Sequence, residues 1–233
     1  MWKSRSRHSI GRWLGLLLAA ACSRSEQAPE DAAAVAAKNT PEPAVATILF
    51  LGTSITAGYG LDPDQAWTAL IEQRLVDAGL PFRVVNAGVS GETSAGALRR
   101  LDWVLRQDAP SVVMVETGAN DGLRGQSLDS LEANLEAILD RLDALRPRPL
   151  VIVAGMEALP NLGATYTNRF RAIYPRAARA HGATYLPFQL DGVAGNPRIN
   201  QADGIHPNAE GSVRVADNVW TVLAPLLESA TRS

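Results

Sequence analysis

From about Val45 onward, short apolar runs alternate with longer stretches in which apolar residues return every three or four positions. The runs are TILFLG from Thr47, FRVVNAG from Phe82, SVVMVETG from Ser111, LVIVAGM from Leu150 and TYLPF from Thr184. Most are aliphatic or β-branched without strict alternation, and each runs into Gly or Pro, the pattern of strands covered on both faces. The stretches between them predict amphipathic helices over residues 66–78, 95–106, 130–145, 168–180 and 209–227. Strands buried on both sides and separated by helices require a parallel sheet with a helical layer on each face. Right-handed crossovers then give a three-layer α/β/α sandwich, with a flavodoxin-like five-stranded sheet in one domain over residues 45–229.

Such a sheet dictates where chemistry belongs, because ligands sit beyond the carboxyl ends of its strands. The segments there are GTSIT, NAGVSGE, ETGANDG and a late loop ending DGIHPN. The first presents Ser54 on a turn of small residues. A serine hydroxyl is a poor nucleophile unless a base takes its proton. The chain has three histidines. His8 lies in the basic leader, and His181 stands at a predicted helix end before Gly182, where a cation suits the helix dipole. His206 remains, with Asp203 three residues earlier in a turn, near enough to hold the second ring nitrogen. Turn and helix-start chemistry alone would also account for DGIHPN. Oxyanion donors are available in the Gly91 amide, the Asn120 carboxamide and the Ser54 amide, although Gly91 and Asn120 would each also serve as ordinary loop residues.

Composition removes other classes. With 46% hydrophobic and 20% charged residues the chain is ordinary globular material, long enough for a sizeable core. Residues 1–21 hold four cations, Lys3, Arg5, Arg7 and Arg12, and no acid, so losing them takes the net charge from −2 to −6. That balance argues against nucleic-acid binding. One usable histidine with scattered acids offers no metal-ligand cluster. No phosphate-cradling glycine motif follows the first strand, so neither metal nor organic cofactor is expected. The G-x-S-x-G elbow of the α/β-hydrolases is missing as well.

The leader itself predicts export. A basic segment to Arg12 precedes an apolar run from Trp13 to Ala21, too short to span a bilayer, which takes about 20 residues. The single cysteine, Cys22, follows it, and residues 22–44 form a polar Ala/Pro-rich tether without core pattern. The arrangement resembles a bacterial lipoprotein signal with Cys22 as the lipidated residue, except that Ala19 stands where leucine is usual. Ser23 after the cysteine resembles the preference for the outer membrane; plain secretion to the periplasm is the alternative.

GTSITAGYG, NAGVSGETS, GANDG and DGIHPN together resemble the four sequence blocks of the SGNH (GDSL-type) hydrolases, closest to the periplasmic multifunctional thioesterase/lysophospholipase and arylesterase group. The resemblance runs from about Ile48 to Leu227. It implies Ser54 as nucleophile, Asp203 and His206 completing the triad, and Ser54, Gly91 and Asn120 as the oxyanion hole. It implies acyl esters, thioesters or lysophospholipids as substrates, with an O-acetylated envelope sugar as the alternative. No nucleic-acid partner is expected, and the domain is expected to act as a monomer, touching a membrane only through a lipid on Cys22. One block departs from the family: Thr53 replaces the aspartate and Ile55 the leucine of the signature. Ile55 is a small change of packing, whereas Thr53 keeps a hydroxyl and loses a charge, which also admits a catalytically silent binding protein on the same scaffold. The stretches 157–167 and 189–202 border the expected site, so Met156, Leu159, Leu162, Tyr166 and Ile199 are candidates for its acyl pocket.

Overall fold

The structure, a computed structural model, describes residues 45–231; the predicted signal, Cys22 and the tether lie outside them. Among the described residues, five parallel strands form one sheet in the order β2-β1-β3-β4-β5. They are β1 (Ala46–Gly52), β2 (Phe82–Gly88), β3 (Val112–Val115), β4 (Leu150–Ala154) and β5 (Thr184–Leu186). Seven helices accompany them there: α1 (Ser54–Ala57), α2 (Trp67–Asp77), α3 (Ser94–Gln107), α4 (Ala119–Leu123), α5 (Leu128–Asp143), α6 (Ala164–Ala180) and α7 (Ala209–Thr231).

The two-residue period of β1 divides its side chains between two cores. Leu49 and Leu51 join β3 and β4 residues under α3, α5 and α6, in a cluster holding Leu101, Leu135 and Phe170. Ile48 and Phe50 face the other way, onto α2 and α7 with Ile71, Val219 and Leu223. Both faces are therefore sealed, as an all-parallel sheet requires. Each large side chain so buried contributes about 1.5–3 kcal/mol of transfer free energy.

Packing also aims the first turn. Trp67 lies under Phe50 with ring centroids 4.6 Å apart, edge to face. A buried indole N–H needs an acceptor, and Trp67 Nε1 donates to the Ile55 carbonyl at 2.9 Å. From β2, Asn86 Nδ2 donates to the Thr56 carbonyl at 2.8 Å. The four residues of α1 are thus tied to both the helical layer and the sheet.

All five predicted strands and all five long helices are present, with shifted ends. β3 stops at Val115; Glu116 N still donates to Leu51 O at 2.8 Å, but beyond it Gly118 turns into the left-handed region at φ 91° to start α4. α6 begins four residues before the expected Asn168, and α7 continues past Leu227 despite Pro225 inside it. The segments read as loops after β1 and β3 each contain a short helix, α1 and α4. Within 157–167 the backbone is likewise ordered, as a 3-10 turn over Pro160–Leu162 and the start of α6.

Candidate active site

Ser54 opens α1 directly after β1, so its amide lies in a first helical turn where no intrahelical acceptor exists. His206 reaches the same rim from the loop before α7. Its Nε2 lies 2.9 Å from Ser54 Oγ, and its Nδ1 lies 2.6 Å from Asp203 Oδ2. Asp203 Oδ1 accepts the amides of Ile205 and His206 at 2.9 and 3.0 Å. These bonds, first the imidazole's and then the two amides', lower the Asp203 carboxyl to about 2. An ionised carboxylate only accepts, so the network assigns the proton to Nδ1 and leaves Nε2 as acceptor towards Ser54.

The loop carrying His206 is fixed by contacts that the sequence did not announce. Gln201 Nε2 donates to Tyr59 O at 2.6 Å and to Pro207 O at 2.9 Å, and Gln201 N donates to His206 O at 2.7 Å. The Tyr59 ring covers the imidazole with centroids 4.7 Å apart. One glutamine therefore ties the serine side of the site to the histidine side.

Ser54, Gly91, Asn120 and His206 all border one cavity of about 570 Å³. Gly91 has φ 77°, which disfavours a side chain there, while a Cβ would meet only Arg124 Nη2 at 3.8 Å. The backbone conformation, not crowding, demands glycine. Asn120 Nδ2 donates one proton to Glu92 O at 2.9 Å, which leaves its second for the cavity.

Behind this rim runs a second network. Glu92 and Arg100 form a mostly buried ion pair, with Arg100 Nε at 2.8 Å from Oε1 and Nη2 at 2.7 Å from Oε2. The same Nη2 donates to Ala87 O at 2.7 Å and to Gly52 O at 3.3 Å. Next to Asn120, the buried Asp121 carboxylate accepts Ser94 N at 2.9 Å and Ser94 Oγ at 2.6 Å, capping the start of α3. Charged residues near glycine-rich strand ends were the only signal for these roles in the sequence.

Thr53, where the sequence departs from the family signature, is buried. It occupies the cap position of α1, yet its side chain makes no capping bond. Its hydroxyl donates to Glu116 instead, at 2.8 Å from Oε1. The Glu116 carboxyl also takes the Thr53 amide and the Thr56 hydroxyl, so its two oxygens gather the donors of this turn, and the Ser54–His206–Asp203 contacts are untouched.

The apolar candidates divide. Met156 and Leu159 line the cavity, together with Ala158, Phe188, Leu190 and Ile205. Leu162, Tyr166 and Ile199 are not among its lining residues. Leu162 and Tyr166 pack against the α5–α6 core, and Tyr166 Oη donates to Gln126 O at 2.9 Å. Ile199 is buried with α2 and α7. The order in 160–167 explains the first two: the 3-10 turn and the start of α6 lay Leu162 and Tyr166 on the layer instead of the rim, while Ile199 is drawn into the core on the opposite face of the sheet.

Residues 50–214 match the model of the GDSL-like lipase/acylhydrolase family. Esterase TesA of Pseudomonas aeruginosa is 42% identical over 188 residues, which span 81% of this chain and 92% of TesA. Thioesterase 1/protease 1/lysophospholipase L1 of Escherichia coli is 39% identical over 181 residues, 78% of this chain and 85% of that one. The crystal structure of the psychrotrophic esterase EstA from Pseudoalteromonas sp. superposes with a TM-score of 0.74 at 32% identity, covering 78% of this chain and 98% of EstA. The β2-β1-β3-β4-β5 sheet, the matched span and these relatives agree: the chain belongs to the GDSL-like lipase/acylhydrolase family.

Proposed function

We propose that the protein is a serine carboxylic-ester hydrolase in which Ser54 is the nucleophile, His206 the general base and acid, and Asp203 the group that orients and stabilises the imidazolium. The observation that carries this is the unbroken relay from Ser54 Oγ through His206 to Asp203, with contacts of 2.9 and 2.6 Å, at the edge of an apolar cavity. Ser54 Oγ attacks the acyl carbon as its proton passes to His206 Nε2. The amides of Ser54 and Gly91 and the free Asn120 N–H receive the charge on the carbonyl oxygen. His206 then protonates the departing alcohol or thiol, and water releases the acyl group by the same route.

The cavity favours an aliphatic or aryl acyl ester, a thioester or a lysophospholipid over an O-acetylated sugar, since a wall built mainly of residues such as Met156, Leu159, Phe188 and Leu190 offers a polyol few partners. The relatives named esterase and thioesterase/lysophospholipase support the same choice. In this reading the enzyme is exported to the periplasm, held to the outer membrane by a lipid on Cys22, and acts as a monomer; the basic and apolar leader supports the export. The silent-binder alternative was motivated by Thr53 and the tether; against its first ground, Thr53 bonds Glu116 and the Ser54–His206–Asp203 contacts are intact.

Turnover of p-nitrophenyl acyl esters, palmitoyl-CoA and a lysophospholipid, each against Ser54→Ala, tests the proposal. Hydrolysis that disappears in the variant is expected; equal rates in both proteins would reject it.

A further inference from the structure

Glu116 is a wholly buried carboxyl that the proposed chemistry leaves idle. It stands at the end of β3, one residue past the strand, and its side chain runs beneath α1. Every donor that the structure gives it comes from the segment carrying the nucleophile. Thr53 N donates to Oε2 at 2.8 Å, Thr53 Oγ1 lies 2.8 Å from Oε1 and 3.0 Å from Oε2, and Thr56 Oγ1 donates to Oε2 at 2.9 Å. These donors flank Ser54 on both sides.

We propose that Glu116 is the positioning residue of the nucleophile turn, an acceptor that anchors residues 53 and 56 so that Ser54 Oγ is presented to His206. This rests on the esterase reading above.

Energetics sharpen the point. Taking a carboxyl out of water is costly unless hydrogen bonds satisfy it. Burial pushes this one up from 4.5 to about 7, and the donors from Thr53 and Thr56 only partly oppose that. A residue serving the core alone would be better apolar. What the carboxyl supplies is two acceptor oxygens that fix an otherwise short helix of four residues, too short to hold itself. Gly52 makes the arrangement possible: a Cβ there would lie 2.1 Å from Thr56 Oγ1 and 2.7 Å from Glu116 Oε2. Thr53 strengthens it, because its amide and its hydroxyl both donate to the carboxyl.

The role is that of an acceptor and not of a charge, which gives it a distinctive signature. Glu116→Met removes both oxygens. Glu116→Gln keeps one for Thr53 N and Thr56 Oγ1, while its new amide N–H is accepted by the Thr53 hydroxyl, which rotates. Thr53→Val removes one donor and Thr53→Ser restores it.

The measurement is kcat and KM on p-nitrophenyl butyrate, with the rate constant and final stoichiometry of Ser54 labelling by a p-nitrophenyl phosphonate. A displaced nucleophile lowers kcat and the labelling rate constant together. We expect at least a tenfold loss in both for Glu116→Met and about a tenfold loss for Thr53→Val, with KM within twofold. Glu116→Gln and Thr53→Ser should stay within about threefold of the parent. A merely structural role would lower the fraction of protein that labels while leaving the rate constant per site unchanged, and that result overturns the proposal. So does a parent-like rate constant in Thr53→Val together with Glu116→Met, or, should Glu116→Met not fold, in Thr53→Val alone. An inactive, unlabelled parent would reject the esterase reading and this one with it; an active parent with indifferent variants rejects only this one.

Discussion

His206 Nε2 lies 2.9 Å from Ser54 Oγ across 152 positions of sequence. Neither residue belongs to a regular strand: Ser54 begins a helix of four residues, and His206 precedes a helix of 23. Their contact is set by the parallel sheet, which delivers both chain segments to one rim, and by Gln201, which bridges Tyr59 O and Pro207 O. Replacing either residue should therefore remove the same unit of chemistry. Ser54→Ala and His206→Ala are each expected to lower kcat by about 10⁴ or more, and the double variant should be no worse than the poorer single one. Initial rates on a p-nitrophenyl ester, corrected for hydrolysis by buffer, provide the check.

Asp203→Asn puts an amide where the carboxylate holds Nδ1–H. The substituted side chain can present its N–H₂ to Nδ1, which favours the other tautomer and turns Nε2 into a donor facing Ser54. A loss of roughly 10³–10⁴ in kcat is expected, with folding retained. The sign of the pH effect on stability also follows. With the folded-state carboxyl lowered to about 2 from 3.8, Asp203 favours the folded form above pH 3.8 and loses that contribution as pH falls through about 2. Urea midpoints of the parent should drop faster than those of Asp203→Asn between pH 4 and 2.

Asn120→Ala removes the proposed third oxyanion donor and the bond to Glu92 O at 2.9 Å. One such donor is worth about 10²–10³ in kcat. Because Ser54 and His206 keep their contact, stoichiometric phosphonate labelling should still occur, only more slowly. Activity loss without loss of labelling separates the hole from the nucleophile.

Much of this site was legible from residue type and order. Ser54, Gly91 and Asn120 stand just past strand ends, where the apolar pattern breaks, and His206 lies in the loop before the last helix; a parallel sheet gathers such segments at one edge by construction. Asp203 was legible because it stands three positions before His206, across a turn. The supports were not. Glu92, Arg100, Glu116 and Gln201 act through partners 8, 48, 63 and 142 positions away, and nothing local in their sequence marks the partner. The pocket wall failed for a related reason. Leu162, Tyr166 and Ile199 lie in stretches of the right neighbourhood, but local helix and core packing choose which way each side chain points.

Arg100 and Glu92 provide the clearest case of a support whose removal is unequal to its replacement. Their side chains are 19% and 10% exposed, so losing Arg100 strands the mostly buried Glu92 charge and takes one donor from the Ala87 and Gly52 carbonyls. Arg100→Met is expected to destabilise by on the order of 3 kcal/mol. Adding Glu92→Met should return part of that loss, giving a favourable coupling between the two substitutions in urea unfolding. Simple additivity would mean the pair does not act as a unit.

His181 tests electrostatics far from the chemistry. It follows α6, where a cation suits the helix end, but its ring is also gripped from α5: Nδ1 lies 2.7 Å from Asp143 Oδ2 and Nε2 lies 2.8 Å from Glu136 Oε2. Both carboxylates accept, so the ring satisfies both only when doubly protonated. Burial works against the charge, yet the bonds to Asp143 and Glu136 outweigh it and raise the imidazole above 6.5. Asp143 is lowered in turn: burial opposes this too, and the bonds from His181 and Arg148 prevail. The two shifts agree in describing a charged pair. A histidine raised on folding contributes fully below its unfolded value of 6.5 and loses that contribution as pH climbs through the folded value. Thermal midpoints of the parent should therefore fall relative to His181→Gln as pH rises from about 6 to 9, while the ratio of their kcat values stays constant. A parallel pair of stability curves would mean that the ring binds its proton equally well in the folded and unfolded chain, so that the two carboxylate contacts do not raise it.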